Sequence, residues 1–160
     1  MATSSTSAGQ ESAEPATAAR FRPLNAQEAE QLGRERLLVC QVAARELGLN
    51  DWSMDRSGLA QLQALIDRGL VHAENLLLAR GLGVVLGDAI TCEMDDMDWH
   101  MVTDDWGTDP VVRYANTTIQ VGARDMVIKR LEDGREVDLV HLLDGVLEHL
   151  QPMIDSGDYQ

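Results

Sequence analysis

Apolar positions recur with a helical period over most of the first half of the chain, then with a strand period, then with a helical period again. The first helical stretch starts after Pro23-Leu24. Asn25 is placed to cap it and Glu28, three residues on, to close a capping box, and Gly48 after Leu47 is its natural terminator. A second helix is predicted over residues 56–68, with Leu59, Leu62, Leu65 and Ile66 on one face and Gly69 at its end. In a third, over about 73–92, leucines, valines and isoleucine from Leu76 to Ile90 cover most of the circumference, as expected of a central buried helix.

The period then shortens. Met97, Trp99, Met101 and Thr103 alternate with Asp98, His100, Val102 and Asp104, which predicts a half-buried strand. Residues 105–110 have the composition of a turn. Two more strands are expected at Val111–Tyr114 and Thr117–Val121, joined at Ala115-Asn116 in an antiparallel meander. A short helix follows over about 124–132, stopped by Gly134. A last helix over about 139–151 is capped by Asp138, with Leu139, Leu142, Leu143, Val146 and Leu150 as its inward stripe.

The expected fold is α+β: three N-terminal helices, a small three-stranded antiparallel sheet, then a short helix and a C-terminal helix. Residues 1–22 are rich in Ser, Thr, Ala and Gly with Phe21 as their one aromatic. They cannot bury enough surface to offset ordering and are expected to form a disordered tail. A single domain is expected over 23–154, with a frayed end at 155–160.

Leu82-Gly83-Val84-Val85-Leu86-Gly87-Asp88-Ala89, the Trp-bearing strand Asp98–Asp104, a Gly turn, a second strand and the helix end Lys129-Arg130-Leu131-Glu132-Asp133-Gly134 follow one another here. Over about residues 76–150 this order resembles a bacterial family described as a domain of unknown function (DUF3806). The resemblance implies a compact bacterial α+β domain and carries no catalytic residues with it.

Charge sharpens the picture. Thirteen basic residues against 27 acidic ones give a net charge of −14. Nucleic-acid binding by counterion release needs a basic stripe, and an anionic membrane surface needs basic clusters, so neither partner is expected. A basic protein or a divalent cation is the partner class that electrostatics favours; the plain alternative is that acidity only keeps the chain soluble. Cys40 and Cys92 are expected to be buried free thiols. The chain has no stretch apolar enough for a membrane span, and its first residues lack the apolar run of a signal peptide, so a cytoplasmic location is expected.

Few residues suggest chemistry. The glycines of Arg80–Gly87 imitate a dinucleotide-binding loop, yet they sit inside a predicted helix and not between a strand and a helix start, so packing is the better reading and no cofactor is expected. No G-x-S-x-G and no H-E-x-x-H occurs. Asp88 to Asp109 holds eight carboxylates and no Lys or Arg. Asp98, His100 and Asp104 share the polar face of the strand and are the candidates for Mn²⁺, Zn²⁺ or Mg²⁺, against the simpler reading of a solvated acidic surface. His141, Asp144 and Glu148 form a second, weaker helix-face set.

Trp106, in the predicted turn beside Gly107, is the best single contact candidate, because tryptophan is enriched among binding hot spots. Trp99 and Trp52 are expected in and beside the core.

The leading expectation is a small acidic, non-enzymatic protein-binding domain that uses Trp106 with Asp95, Asp96, Asp98, Asp104 and Asp105. One concrete form is an immunity-type neutraliser masking a basic partner, an analogy of character and not of motif. The alternatives are a divalent-metal-dependent enzyme built on the acidic strand, and a structural or self-associating domain that forms a homodimer.

Overall fold

A computed structural model of the chain describes residues 18–159; of the tail expected to be disordered over residues 1–22, residues 1–17 lie outside the described residues and Arg20–Arg22 belong to a strand. In chain order the elements are β1 (Arg20–Pro23), α1 (Ala26–Leu47), α2 (Arg56–Asp67), α3 (Leu76–Glu93), β2 (Met97–Asp104), β3 (Gly107–Tyr114), β4 (Gln120–Val121), a 3-10 turn (Ala123–Asp125), α4 (Met126–Glu132) and α5 (Leu139–Ser156). The sheet is antiparallel with order β1-β2-β3-β4, and the arrangement is α+β.

The helices follow from their caps and periods. Asn25 Oδ1 accepts from the Glu28 backbone N–H while a Glu28 side-chain oxygen accepts from the Asn25 N–H, so the capping box forms, and Gly48 ends α1 in the left-handed conformation. Asp138 caps α5 through the His141 N–H. This helix continues through Pro152 to Ser156, past the expected end at 151, and Gly157 closes it at φ 65°. Tyr159 beyond it lies edge-on to Tyr114, with ring centroids 5.7 Å apart.

The sheet departs from expectation in three places. It has four strands, not three, because residues 20–23 pair along the open edge of β2, with Phe21 opposite Val102. Four residues are too few to display an alternation, and the segment is held by partners distant in sequence: the Arg113 guanidinium lies 4.1 Å over the Phe21 ring. The turn is only Asp105-Trp106, because Gly107 takes φ 134° and absorbs the reversal at one position. Pro110 is therefore a strand residue, on the stretch of β3 that β4 does not reach, where its missing N–H costs no ladder bond. The last strand shrinks to Gln120–Val121, since the Thr117 hydroxyl donates to the Tyr114 carbonyl and holds residues 114–117 in a turn.

Helix α3 is the centre of the core. Leu82, Val84, Val85, Leu86 and Ile90 have no exposed surface, and Trp99 and Val112 pack against the helix from the sheet. Trp52 lies half-buried against the same core. Cys40 is half-buried, and burial pushes its thiol pKa up; Cys92 is exposed, against the expectation of two buried thiols. No helix among the described residues is long and apolar enough to cross a membrane.

Strand β1 is tied to α1 by the Arg22 guanidinium, which donates to both Glu28 oxygens at 2.6 and 2.8 Å. That pair and the Asn25 backbone N–H hold the Glu28 carboxyl down at about 2, from 4.5. A depressed carboxylate contributes stability above its unfolded pKa and loses it as pH falls through the folded one. The Arg22–Glu28 contribution is thus expected to fade between pH 4.5 and 2. Urea midpoints of the Glu28→Gln variant should fall less steeply than wild type across that window. The effect is small, because the pair is solvent-screened.

Candidate functional site

The β2–β3 hairpin tip presents Trp106 with 93% of its surface exposed. Local bonds hold the backbone of the tip. Asp104 Oδ1 accepts from the Trp106 N–H at 2.8 Å, and the Thr103 and Thr108 hydroxyls bond across the hairpin at 2.9 Å. Asp104, Asp105 and Asp109 lie within three residues of Trp106 along the hairpin. Among the described residues none of the three has an arginine or lysine within ion-pair distance. Lys129, the single lysine of the chain, shares with Asp104 and Asp109 the wall of a depression of about 290 Å³ without reaching them as an ion pair.

Asp95, Asp96 and Asp98 are exposed at the other end of β2, where Asp96 turns the chain at φ 64°. Asp98 and Asp104 do lie on one face of the strand, but six residues apart, or about 20 Å. Salt screens charges over about 8 Å under physiological conditions. The acidic ribbon is therefore two separate clusters. His100, between them, is half-buried, with Nδ1 3.3 Å from the Asp98 carbonyl. Asp98, His100 and Asp104 are too far apart to ligate one ion, and no group of three or more potential metal ligands converges among the described residues. In the His141, Asp144 and Glu148 set, Asp144 is taken by Arg56 of α2, and His141 lines a cleft that neither Asp144 nor Glu148 lines.

Asp88, read from the sequence as the start of the acidic run, is a core residue. Arg36 of α1 donates to both its oxygens at 2.6 and 2.8 Å, and the Trp99 indole N–H donates at 3.0 Å. Its neighbour on α1, Glu35, is 2% exposed and takes a two-pronged grip from Arg124. These paired charges lock α1, α3, the sheet and the 3-10 turn together, and so fix the base of the hairpin.

Residues 58–142, just over half of the chain, match the model of the domain of unknown function (DUF3806). The chain belongs to this family. The DUF3806 segment begins early in α2, includes α3, the β2–β4 sheet and α4, and ends in the first turn of α5. Glu35 and Arg36 lie outside it on α1, yet they neutralise Arg124 and Asp88 within it, so α1 completes the electrostatics of the DUF3806 core. In fold the chain is similar to a crystal structure from Bacteroides thetaiotaomicron, with a TM-score of 0.74 and 18% identity over 84% of this chain. It spans about half of that protein, 49% of its length. No curated protein matches the chain in sequence.

The sequence reading missed a cleft of about 640 Å³ between β4, α4 and α5. Val121, Met126, Leu142, Val146 and Leu150 line it with apolar surface, and Gln120, Arg130, His141 and His149 with polar groups. Three elements meet only on folding to make it. The one signal in sequence was His141, Gly145 and His149 at successive four-residue steps, which puts two imidazoles on one helix face with an empty position between them.

Proposed function

We propose that this DUF3806 chain is a non-enzymatic protein-recognition domain that docks a basic partner through the β2–β3 hairpin tip. The observation that carries this reading is Trp106: a large indole, 93% exposed, on a two-residue loop, with three carboxylates within three residues of it that lack an ion-pair partner among the described residues. Such an indole contributes little to folding and is suited to fill a partner's pocket, while Asp104, Asp105 and Asp109 steer a cationic rim toward it. Asp95, Asp96 and Asp98, some 20 Å away, would meet only a broad partner. An immunity-type neutraliser is one form of this reading, since masking a basic protein needs an acidic surface and no catalytic group.

The test is capture of a partner with a photo-crosslinking residue placed at Asp105, followed by titration of the identified partner. Trp106→Ala is expected to weaken the complex by about 2 kcal/mol or more and to leave the melting curve of the free chain nearly unchanged. Affinity should also fall as salt rises. A complex that forms equally well with Trp106→Ala and at high salt removes the hairpin from the interface and the reading with it.

A further inference from the structure

The cleft between β4, α4 and α5 lies outside the hairpin surface, and its chemistry is opposite to that of the rest of the molecule. The chain carries 27 acidic residues, yet none is among the eleven that line this cleft. Those eleven include Arg130 and two of the four histidines. Arg130 is half-buried and, among the described residues, forms no ion pair. Six of the twelve arginines form no ion pair among the described residues, and Arg130 is the one of them in the lining of this cleft, where no carboxylate competes for it.

The rest of the lining gives the shape of the ligand. Val121, Met126, Leu142, Val146 and Leu150 add apolar surface to the same cleft. His141 and His149 are eight residues apart on α5, or about 12 Å. Gly145 lies midway, and a Cβ there would meet nothing within 4 Å; the same holds at Gly122 on the facing segment. The space above the middle of α5 is therefore open. About 640 Å³ is the size of a small-molecule site and not of a protein interface.

We infer that this cleft binds a small amphipathic carboxylate, with its carboxylate on the Arg130 guanidinium and an aliphatic body along the α5 wall over Gly145. One guanidinium matches one carboxylate in a two-pronged bond, and the apolar surface selects against small hydrophilic anions, which would leave it wet. Gln120 and the histidines supply further donors at the rim. Charge complementarity excludes aliphatic cations of equal length.

The experiment uses the full chain and octanoate as probe, with octyltrimethylammonium and octanol as controls, read by amide chemical shifts. Octanoate is expected to shift the Gly122 and Gly145 amides saturably at millimolar concentration, and the two controls are not. Arg130→Gln should weaken octanoate by about tenfold or more, the loss of one charged hydrogen-bonded pair. Gly145→Leu should abolish the saturable shift at Gly122 without lowering the melting temperature, because its side chain enters open space and the helix gains propensity. Absence of saturable shifts with octanoate, equal binding of the ammonium probe, or unchanged binding by Gly145→Leu would each overturn the assignment. None of these outcomes bears on Trp106, so the two sites stand or fall separately.

Discussion

Arg124→Ala is expected to destabilise the chain by about 3–5 kcal/mol, among the largest losses for any single charge removal here. Glu35 has 2% of its surface exposed and receives Arg124 Nε at 3.1 and 3.2 Å and a second guanidinium nitrogen at 2.7 Å. With the arginine gone, a carboxylate stays in the core between α1 and the 3-10 turn with its charge unanswered. The pair itself contributes much less, because burying two ions costs nearly what their attraction returns. The double variant Glu35→Leu/Arg124→Leu should therefore lie well above Arg124→Ala in stability. Arg124→Lys should recover only part, since one ammonium cannot reproduce the fork. Chemical unfolding of wild type and these three variants tests the ordering; equal losses for Arg124→Ala and the double variant would place Glu35 in contact with water and not in the core.

What could be read from the sequence follows from how local each cause is. Asn25 with Glu28, Asp138 and Gly48 mark helix ends because capping acts within three or four residues, and all three behave as expected. Trp106 was legible for the same reason, as an indole beside a glycine in a polar turn. Strand β1 was not: four residues owe their conformation to β2, about eighty positions later, and to Arg22 on Glu28. The charge pairs Arg36–Asp88 and Glu35–Arg124 join residues 52 and 89 apart. Seen along the chain, Asp88 is one of eight carboxylates in a run; only the fold takes it out of solvent and leaves the others there. The acidic ribbon looks continuous for a related reason. Sequence distance along a strand is real distance, so six residues of β2 separate Asp98 from Asp104 by more than two screening lengths.

These long-range pairs connect stability to the proposed surface. The hairpin leaves the body of the protein at Trp99 and Val112, both packed at Gly87, with the Trp99 indole N–H fixed on Asp88. A recognition residue at the end of an eight-residue strand is only as well placed as that base. Variants that loosen Asp88 are thus expected to weaken partner binding through Trp106 without touching the partner.

Gly83→Ala is expected to cost about 3 kcal/mol, at the upper end for an added methyl group, although alanine is the better helix former by about 1 kcal/mol. A Cβ at Gly83 would stand 2.1 Å from the Arg124 carbonyl oxygen, 2.6 Å from its carbon and 2.7 Å from the Ala123 oxygen. All three are backbone atoms, so no rotamer change relieves the overlap. Either the 3-10 turn moves off α3 or the helix shifts, and a moved turn also drags Arg124 from Glu35. Gly87→Ala meets the Trp99 ring at 2.3 Å, a side chain that can tilt at the expense of its bond to Asp88, and should cost less. Gly145→Ala supplies the opposite sign. In α5 the same methyl group meets nothing within 4 Å, and the variant should gain up to about 1 kcal/mol. Thermal and urea unfolding of the three alanine variants tests the ordering: a Gly83→Ala protein as stable as wild type would mean that α3 and the 3-10 turn do not touch through their backbones.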